Sequence, residues 1–115
     1  WRYGAALGGR TIVDGVRALA PGIRVAGHLN SPADEPFVPL FDVAIVNPGF
    51  GMDSATIDRL IAKGRKVWLY NTERFRLSAG WWLWATKAER YVQWHGRMPT
   101  SDPFDPLDGK SAITR

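Results

Sequence analysis

The stretch FDVAIVN, residues 41–47, decides the fold class of this chain. It is a nearly continuous apolar run that is rich in β-branched residues. A strand that is buried on both faces has this pattern, and such strands are typical of parallel sheets. Similar runs lie on both sides of it, at residues 23–29 (IRVAGHL), 65–71 (RKVWLYN) and 90–96 (RYVQWHG). We therefore predict four strands.

Helical patterns separate most of these strands. Residues 11–20 carry a capping pattern, Thr11 followed three residues later by Asp14, and an apolar stripe at helical spacing. Residues 54–63 follow a cap at Asp53 or Ser54, and Gly64 ends that helix. Residues 77–88 form a third pattern, whose predicted buried stripe is Leu77, Trp81, Trp84 and Ala88.

The remaining segments are predicted to be loops. They are the glycine-rich start at residues 1–9, the proline-containing stretch NSPADEP at 30–36 and the tail at 97–115. Strands that alternate with helices indicate an α/β fold with a parallel sheet. Four such strands form either a small open sheet or half of a (β/α)8 barrel, because a complete barrel has about 250 residues.

The composition narrows the function classes. The 115 residues suffice for a single domain, here counted as one partial domain over residues 1–115 with a loop-rich tail. The net charge of +4 comes from scattered basic residues that form no stripe, so we expect no nucleic-acid partner. No apolar run reaches the length of a membrane span. We expect no cofactor and no metal, since two histidines without a carboxylate partner are weak evidence and cysteine is absent.

An ordered set of motifs in the second half resembles a known family. The set consists of GRKVWLYN (64–71), Arg76, Gly80, WLWATKA (82–88), YVQWHG (91–96) and DPFDPLDG (102–109). Together these resemble the C-terminal part of the catalytic barrel of glycoside hydrolase family 123 and its uncharacterised relatives. The likeness covers the chain from about Ile23 onward. Glu89 departs from it, because relatives often carry glycine there.

The resemblance implies that the four strands are strands 5 to 8 of a (β/α)8 barrel, whose first half lies upstream of Trp1. The absence of an initiator Met agrees with that expectation. The partner would be a glycan, with a hexosaminide as one candidate. The chain would need the missing N-terminal half, which would carry the main catalytic acids, so the fragment alone is expected to be inactive.

The strand ends supply the candidate site, because barrel enzymes act at the carboxyl ends of their strands. A sugar needs hydrogen-bonding groups for its hydroxyls and aromatic rings for its C–H faces. The substrate-binding candidates are polar or aromatic residues at these ends: His28, Asn30, Asn47, Tyr70, Asn71, Arg76, Trp94 and His95. Isolated polar residues of this kind also serve as loop or cap hydrogen-bond partners.

Three acids are catalytic candidates, because glycoside hydrolysis uses two carboxylates or one carboxylate and a substrate amide. Asp34 and Glu35 match the adjacent pair that the resemblance implies, although that pair follows the fourth strand in relatives. A solvated loop pair is the alternative. Glu73 lies beyond the third strand, where a salt bridge to Arg74 or Arg76 is the alternative. Proline turns account for Asp102, Asp105 and Asp108.

The tryptophans separate the two main functional hypotheses. We predict that Trp81 and Trp84 are core, that Trp68 is packing, and that Trp94 is the best ring for stacking on a ligand. If the domain is instead a non-catalytic carbohydrate-binding module, Trp94, Tyr70 and Trp82 would form its platform. A small basic nucleic-acid binder is the remaining alternative, for which affinity would depend steeply on salt.

Overall fold

The protein was analysed as a computed structural model, which describes residues 4–72 and 77–93. The elements in chain order are α1 (Gly4–Leu19), β1 (Ala26–Leu29), a 3₁₀ segment (Pro32–Leu40), β2 (Val43–Val46), α2 (Ser54–Ala62), β3 (Lys66–Tyr70), a π-helical turn (Leu77–Trp82) that continues into α3 (Leu83–Thr86), and β4 (Arg90–Val92). The predicted tail at 97–115 lies outside the described residues.

The four strands form one parallel sheet in the order β1-β2-β3-β4. The α/β class and the four parallel strands are therefore confirmed. The run at 41–47 contributes the central strand β2, whose four residues are all buried, as its apolar pattern predicts. The sheet order follows the chain order, so every connection joins nearest neighbours.

All three connections pack on one face of this sheet. That face and the segments covering it share a single core, which includes Val38 of the 3₁₀ segment and Ile57 of α2. The strand residues in the core alternate along each strand, and the ones on β1, β2 and β3 are Leu29, Ala44, Val46, Val67 and Leu69. The residues between them point to the opposite face. No described helix joins a core on that opposite face, which we call the bare face.

The helix α2 begins and ends where the sequence predicts. The Asp53 carboxylate accepts hydrogen bonds from the Thr56 backbone N–H at 2.9 Å and from the Thr56 hydroxyl at 2.8 Å. An acidic N-cap accepts a hydrogen bond from a free N–H group of the first turn, and its negative charge interacts favourably with the positive end of the helix dipole. Gly64 follows the helix with a φ of +74°, a conformation that glycine adopts without strain.

Two segments predicted to be loops are helical. The helix α1 begins at Gly4 instead of near Thr11, although Gly4, Gly8 and Gly9 lie in its first turns and glycine is a poor helix former. The stretch at 30–36 enters the 3₁₀ segment, which contains Pro32, Pro36 and Pro39. Burial of Val38 and Leu40 anchors this segment against the sheet. A short 3₁₀ segment contains few backbone hydrogen bonds, so it tolerates prolines, which have no N–H group to donate.

The predicted burial of Trp81 and Trp84 is wrong, because 61% and 73% of their surfaces are exposed. Trp82 faces the core instead, and its indole Nε1–H donates to the Met52 carbonyl at 3.0 Å. The reason is the π-helical turn before α3, since an i→i+5 turn shifts which positions face inward relative to an α-helix. Trp68 is half-buried.

A polar cluster fixes the start of the sheet at the amino ends of the strands. The Asp42 carboxylate accepts the Val25 backbone N–H at 2.8 Å and lies 3.2 Å from the Arg17 guanidinium. The hydrogen bond from Val25, followed by the Arg17 charge, lowers the pKa of the Asp42 carboxyl. Arg17 also donates to the Leu40 carbonyl at 3.0 Å, so it ties α1 to the β1–β2 connection.

This cluster predicts a loss of stability in acid. A carboxyl with a lowered folded pKa contributes stability above its unfolded pKa, roughly 3.9 for aspartate, and loses that contribution as the pH falls through the folded value. We expect the free energy of unfolding, measured by urea titration from pH 7 to pH 2.5, to fall less steeply below pH 4 in Asp42→Asn. Asp58→Asn, on the exposed side of α2, is the control. Identical pH profiles for Asp42→Asn and the unmodified chain would refute the assignment.

Candidate functional site

The carboxyl ends of β1, β2 and β3 bring four predicted site residues to one edge of the sheet. His28 pairs in register with Ile45, and Ile45 pairs with Trp68. Because side chains alternate along strands, His28, Tyr70 and the two asparagines that follow β1 and β2 lie on the bare face or at its edge. The structure brings these strand-end residues together in two pairs, Asn30 with Asn47 and His28 with Tyr70.

Asn47 organises this edge. Its Oδ1 accepts the backbone N–H groups of Gly49 at 3.0 Å and Phe50 at 3.1 Å, which closes the turn after β2. Its Nδ2 donates to Oδ1 of Asn30 at 2.9 Å. Asn47 is thus committed to structure. The Asn30 Nδ2 group has no acceptor among the described residues.

His28 and Tyr70 form an aromatic contact across the strand between them. Their ring centroids are 4.9 Å apart and the planes meet at 78°, an edge-to-face arrangement. His28 is exposed and Tyr70 is half-buried. The pair therefore presents ring surface on the bare face, near the carboxyl ends of β1 and β3.

Asn71 belongs to a second group at the ends of β3 and β4. It has a φ of +56°, and its Oδ1 accepts from Nε2 of Gln93 at 3.1 Å. The Gln93 Oε1 in turn accepts from the Tyr91 hydroxyl. Tyr91 packs against the core on the helix-covered face. Asn71 therefore joins β3 to β4. Within residues 4–72 and 77–93 it makes no hydrogen bond to Asn30 or Asn47.

The two acids of the predicted pair point to different partners. Asp34 Oδ2 accepts the backbone N–H groups of Asn30 at 2.7 Å and Ser31 at 3.0 Å, so this carboxylate lies at the edge of the site. Glu35 forms ion pairs with Lys63, at 2.7 Å, and with Arg59, both near the end of α2. The Lys63 ammonium and then the Arg59 guanidinium lower the pKa of the Glu35 carboxyl. A carboxyl group with a lowered pKa gives up its proton below the working pH, so it is a poor general acid.

Four predicted site residues lie outside the described residues: Glu73, Arg76, Trp94 and His95. Trp82, proposed as part of a platform with Tyr70, packs on the helix-covered face while Tyr70 lies on the other. These two rings therefore do not share one surface.

Sequence reasoning missed one contact on the bare face. The Arg90 guanidinium lies 5.0 Å from the ring centroid of Trp68, within the range of a cation–π interaction. The two residues are partners in the β3–β4 register. The alternation of Lys66, Trp68 and Tyr70 places Trp68 on the same face as Tyr70. Alignment of the start of β4, at Arg90, with the middle of β3 would have placed Arg90 beside Trp68.

Glu89, the residue that departs from the resemblance, closes the amino end of this face. Its carboxylate pairs with the Lys66 ammonium, and that contact is the main cause of the lowered pKa of Glu89. The described charged side chains Lys66, Glu89 and Arg90 thus gather toward the amino ends of β3 and β4.

A scan of protein-family models and searches of curated proteins and of solved structures give no match to this chain. Within residues 4–72 and 77–93, no three His, Cys, Asp or Glu side chains are grouped as a metal site would require. None of the described helices combines the length and apolarity that crossing a membrane would require.

Proposed function

We propose that the chain is the C-terminal half of a (β/α)8-type barrel, part of a glycoside-hydrolase-like protein, and that its carboxyl edge binds a glycan. The observation that carries the proposal is the winding of the sheet. The four strands follow one another in order, and all their connections pack on one face.

This winding is the one that a barrel requires. Right-handed crossovers that always advance in the same direction place every helix outside and leave the other face for the barrel interior. A doubly wound sheet reverses its strand order and so covers both faces. The bare face with Ile45, Trp68 and Tyr70 then corresponds to the interior of a barrel, and the edge with Asn30 to the rim of its site.

The chemistry of that rim supports a sugar as the ligand. The Asn30 amide can donate to a hydroxyl or to an acetamido carbonyl, while the ring pair of His28 and Tyr70 offers surface for sugar C–H groups. Hexosaminides present both features, so they are the substrate class to test first. Asp34 is the described acid nearest this rim, and further catalytic acids are expected from the half of the barrel that precedes the chain.

The proposal is tested by titrating the chain with N-acetylglucosamine oligosaccharides while recording two-dimensional NMR spectra. We expect shifts of the Asn30 side-chain amide and of the Tyr70 and Trp68 ring signals. In Asn30→Ala and Tyr70→Ala we expect the Trp68 ring signals to stay unshifted on addition of the oligosaccharide, with the circular dichroism spectrum unchanged. Asp58→Ala, on the exposed side of α2, should bind as the unmodified chain does. Absence of shifts with every oligosaccharide tried would refute the proposal.

Glycan binding without catalysis is the second candidate. The ion pairs of Glu35 with Lys63 and Arg59 favour it, since they hold one of the two adjacent acids away from general acid chemistry. Assay of the bound oligosaccharide for hydrolysis, with the chain alone and after addition of an upstream half, separates the two. Binding without turnover in both cases would favour the binding module.

A further inference from the structure

A chain of hydrogen bonds runs from the core to the carboxyl ends of β3 and β4. The Tyr91 hydroxyl donates to Oε1 of Gln93 at 2.5 Å, and Nε2 of Gln93 donates to Oδ1 of Asn71 at 3.1 Å. Tyr91 packs against the core, Gln93 is half-buried and Asn71 is exposed. We call this chain the amide relay, and it ends at the edge of the sheet.

The relay has a fixed polarity. A carboxamide carries its acceptor on one side and its donors on the other, so the bond made on one side decides what the other side offers. The 2.5 Å contact of Gln93 fits an O–H···O bond and its 3.1 Å contact fits an N–H···O bond. Since Gln93 donates to Oδ1 of Asn71, the Nδ2 donors of Asn71 lie at the exposed end. Nδ2 has no acceptor among residues 4–72 and 77–93.

The backbone holds Asn71 in place. Its N–H donates to the Val92 carbonyl at 3.0 Å, and the Thr72 carbonyl oxygen after it lies 3.3 Å from the Tyr91 hydroxyl. Its φ of +56° lies in the left-handed region, which asparagine tolerates better than most residues. A polar group that is held in position loses little conformational freedom when it binds a ligand. The end of β3 therefore presents a preorganised donor.

The ends of β1 and β2 are built in the same way. The N–H groups of Gly49 and Phe50 occupy Oδ1 of Asn47, and Nδ2 of Asn47 donates to Oδ1 of Asn30. Asn30 thus also ends its chain of hydrogen bonds with Nδ2. Asn30 follows β1 and Asn71 follows β3, which places them two strand spacings, about 10 Å, apart. The edge therefore carries two amide donors at a separation that suits an oligosaccharide better than a single sugar ring.

We propose that the ends of β3 and β4 form a second glycan subsite, in which Asn71 Nδ2 donates to an oxygen of the ligand and Gln93 is the positioning residue that fixes this polarity. The proposal rests on glycan binding in the proposed function and adds the chemistry of a further contact. The ligand would present an oxygen that only accepts hydrogen bonds, which is the carbonyl of an acetamido group or the carboxylate of a uronic acid. An ammonium group would be disfavoured, because it would face N–H groups.

The polarity is tested on the free chain with Gln93→Glu. Glutamate has nearly the same shape, but both of its oxygens accept. One oxygen keeps the bond from Tyr91, so Asn71 has to turn its Nδ2 group toward the other. We expect NMR to show fast hydrogen exchange of the Asn71 side-chain amide in the unmodified chain and slower exchange in Gln93→Glu. Slow exchange in the unmodified chain would show the opposite polarity and overturn the proposal.

The subsite is tested by a double-mutant cycle with N-acetylglucosamine oligosaccharides. Asn71→Gly removes the amide and keeps the positive φ without strain, and it should weaken binding about 2- to 10-fold. Gln93→Glu should weaken binding about 5-fold or more, since it turns an acceptor toward the ligand. In the Asn71→Gly background, Gln93→Glu should have no further effect, because it acts only through Asn71. An equal effect in both backgrounds would show direct action of the new charge and refute the positioning role.

Two further oligosaccharides identify the acceptor. Tighter binding of galacturonic acid oligosaccharides than of N-acetylglucosamine oligosaccharides would assign it to a carboxylate, and the reverse order to an acetamido carbonyl. Tightest binding of glucosamine oligosaccharides, which carry ammonium groups, would overturn the proposal. Shifts of Asn30 and Trp68 signals without a shift of Asn71 would refute this subsite and leave the proposed function intact. Absence of shifts at all three residues would refute both.

Discussion

Replacing Ile57 with alanine is expected to lower the free energy of unfolding by about 2–5 kcal/mol, the range for truncation of a fully buried aliphatic side chain. Ile57 is 0% exposed and lies in the core that joins α2 to the sheet. That core joins the sheet to the layer of helices, since all the described segments between the strands pack on the same face of the sheet. The measurement is urea denaturation followed by far-ultraviolet circular dichroism.

The neighbouring Asp58 supplies a matched control in the same helix. Asp58 is exposed, so Asp58→Ala should change the free energy of unfolding by less than about 0.5 kcal/mol. Alanine favours helix in both variants, and only burial differs between them. A loss below about 1 kcal/mol in Ile57→Ala would show that the face covered by α2 is not the principal core.

Replacing Gly49 with alanine is expected to disturb the candidate site and to cost about 1–3 kcal/mol, as overpacking does. A Cβ atom at Gly49 would lie 2.4 Å from the Asn30 carbonyl oxygen and 3.3 Å from Asn47 Oδ1. A backbone oxygen cannot swing aside as a side chain can. The turn after β2 would have to move away from the end of β1, and the Asn30–Asn47 hydrogen bond would lengthen or break.

Gly9 is the control for this substitution, and we expect the opposite sign. It lies within α1, and no atom of the described residues is within 4 Å of an added Cβ, so Gly9→Ala should stabilise by roughly 0.5–1 kcal/mol. Urea denaturation gives both free energies, and NMR signals of the Asn30 and Asn47 side-chain amides report on the site. Unchanged amide signals in Gly49→Ala would contradict the close approach of these loops.

Local patterns in the sequence were sufficient for the sheet. The apolar run at 41–47 predicted a fully buried central strand because a parallel strand covered on one face and lined by large neighbours on the other has no polar side. Asp53 and Gly64 predicted the ends of α2, because an N-cap acceptor and a left-handed glycine act within a few residues. Strand-end positions also predicted that His28, Asn30, Asn47 and Tyr70 lie at the carboxyl edge of the sheet, where the structure pairs Asn30 with Asn47 and His28 with Tyr70.

Local patterns failed where distant packing chooses the conformation. Helical spacing predicted that Trp81 and Trp84 would be buried, but the π-helical turn directs Trp82 inward and leaves those two rings exposed. The prolines at 32 and 36 predicted a loop, yet burial of Val38 holds that segment in a 3₁₀ conformation. In both cases a contact made far along the chain outweighs the local preference.

The amino-acid sequence by itself determined the α/β class, the four strands and the grouping of polar residues at their carboxyl ends, because side-chain periodicity and capping act over a few residues. Only the tertiary structure decided which face of the sheet the helices cover, that Glu35 pairs with α2 while Asp34 stays beside Asn30, and that Trp81 and Trp84 remain exposed. These features depend on the direction in which each connection crosses the sheet and on contacts between residues that are 20 or more positions apart, such as Glu35 with Arg59 and Trp82 with Met52. Hydrophobic periodicity does not predict such contacts, since it indicates that a residue is buried but not which residue it packs against.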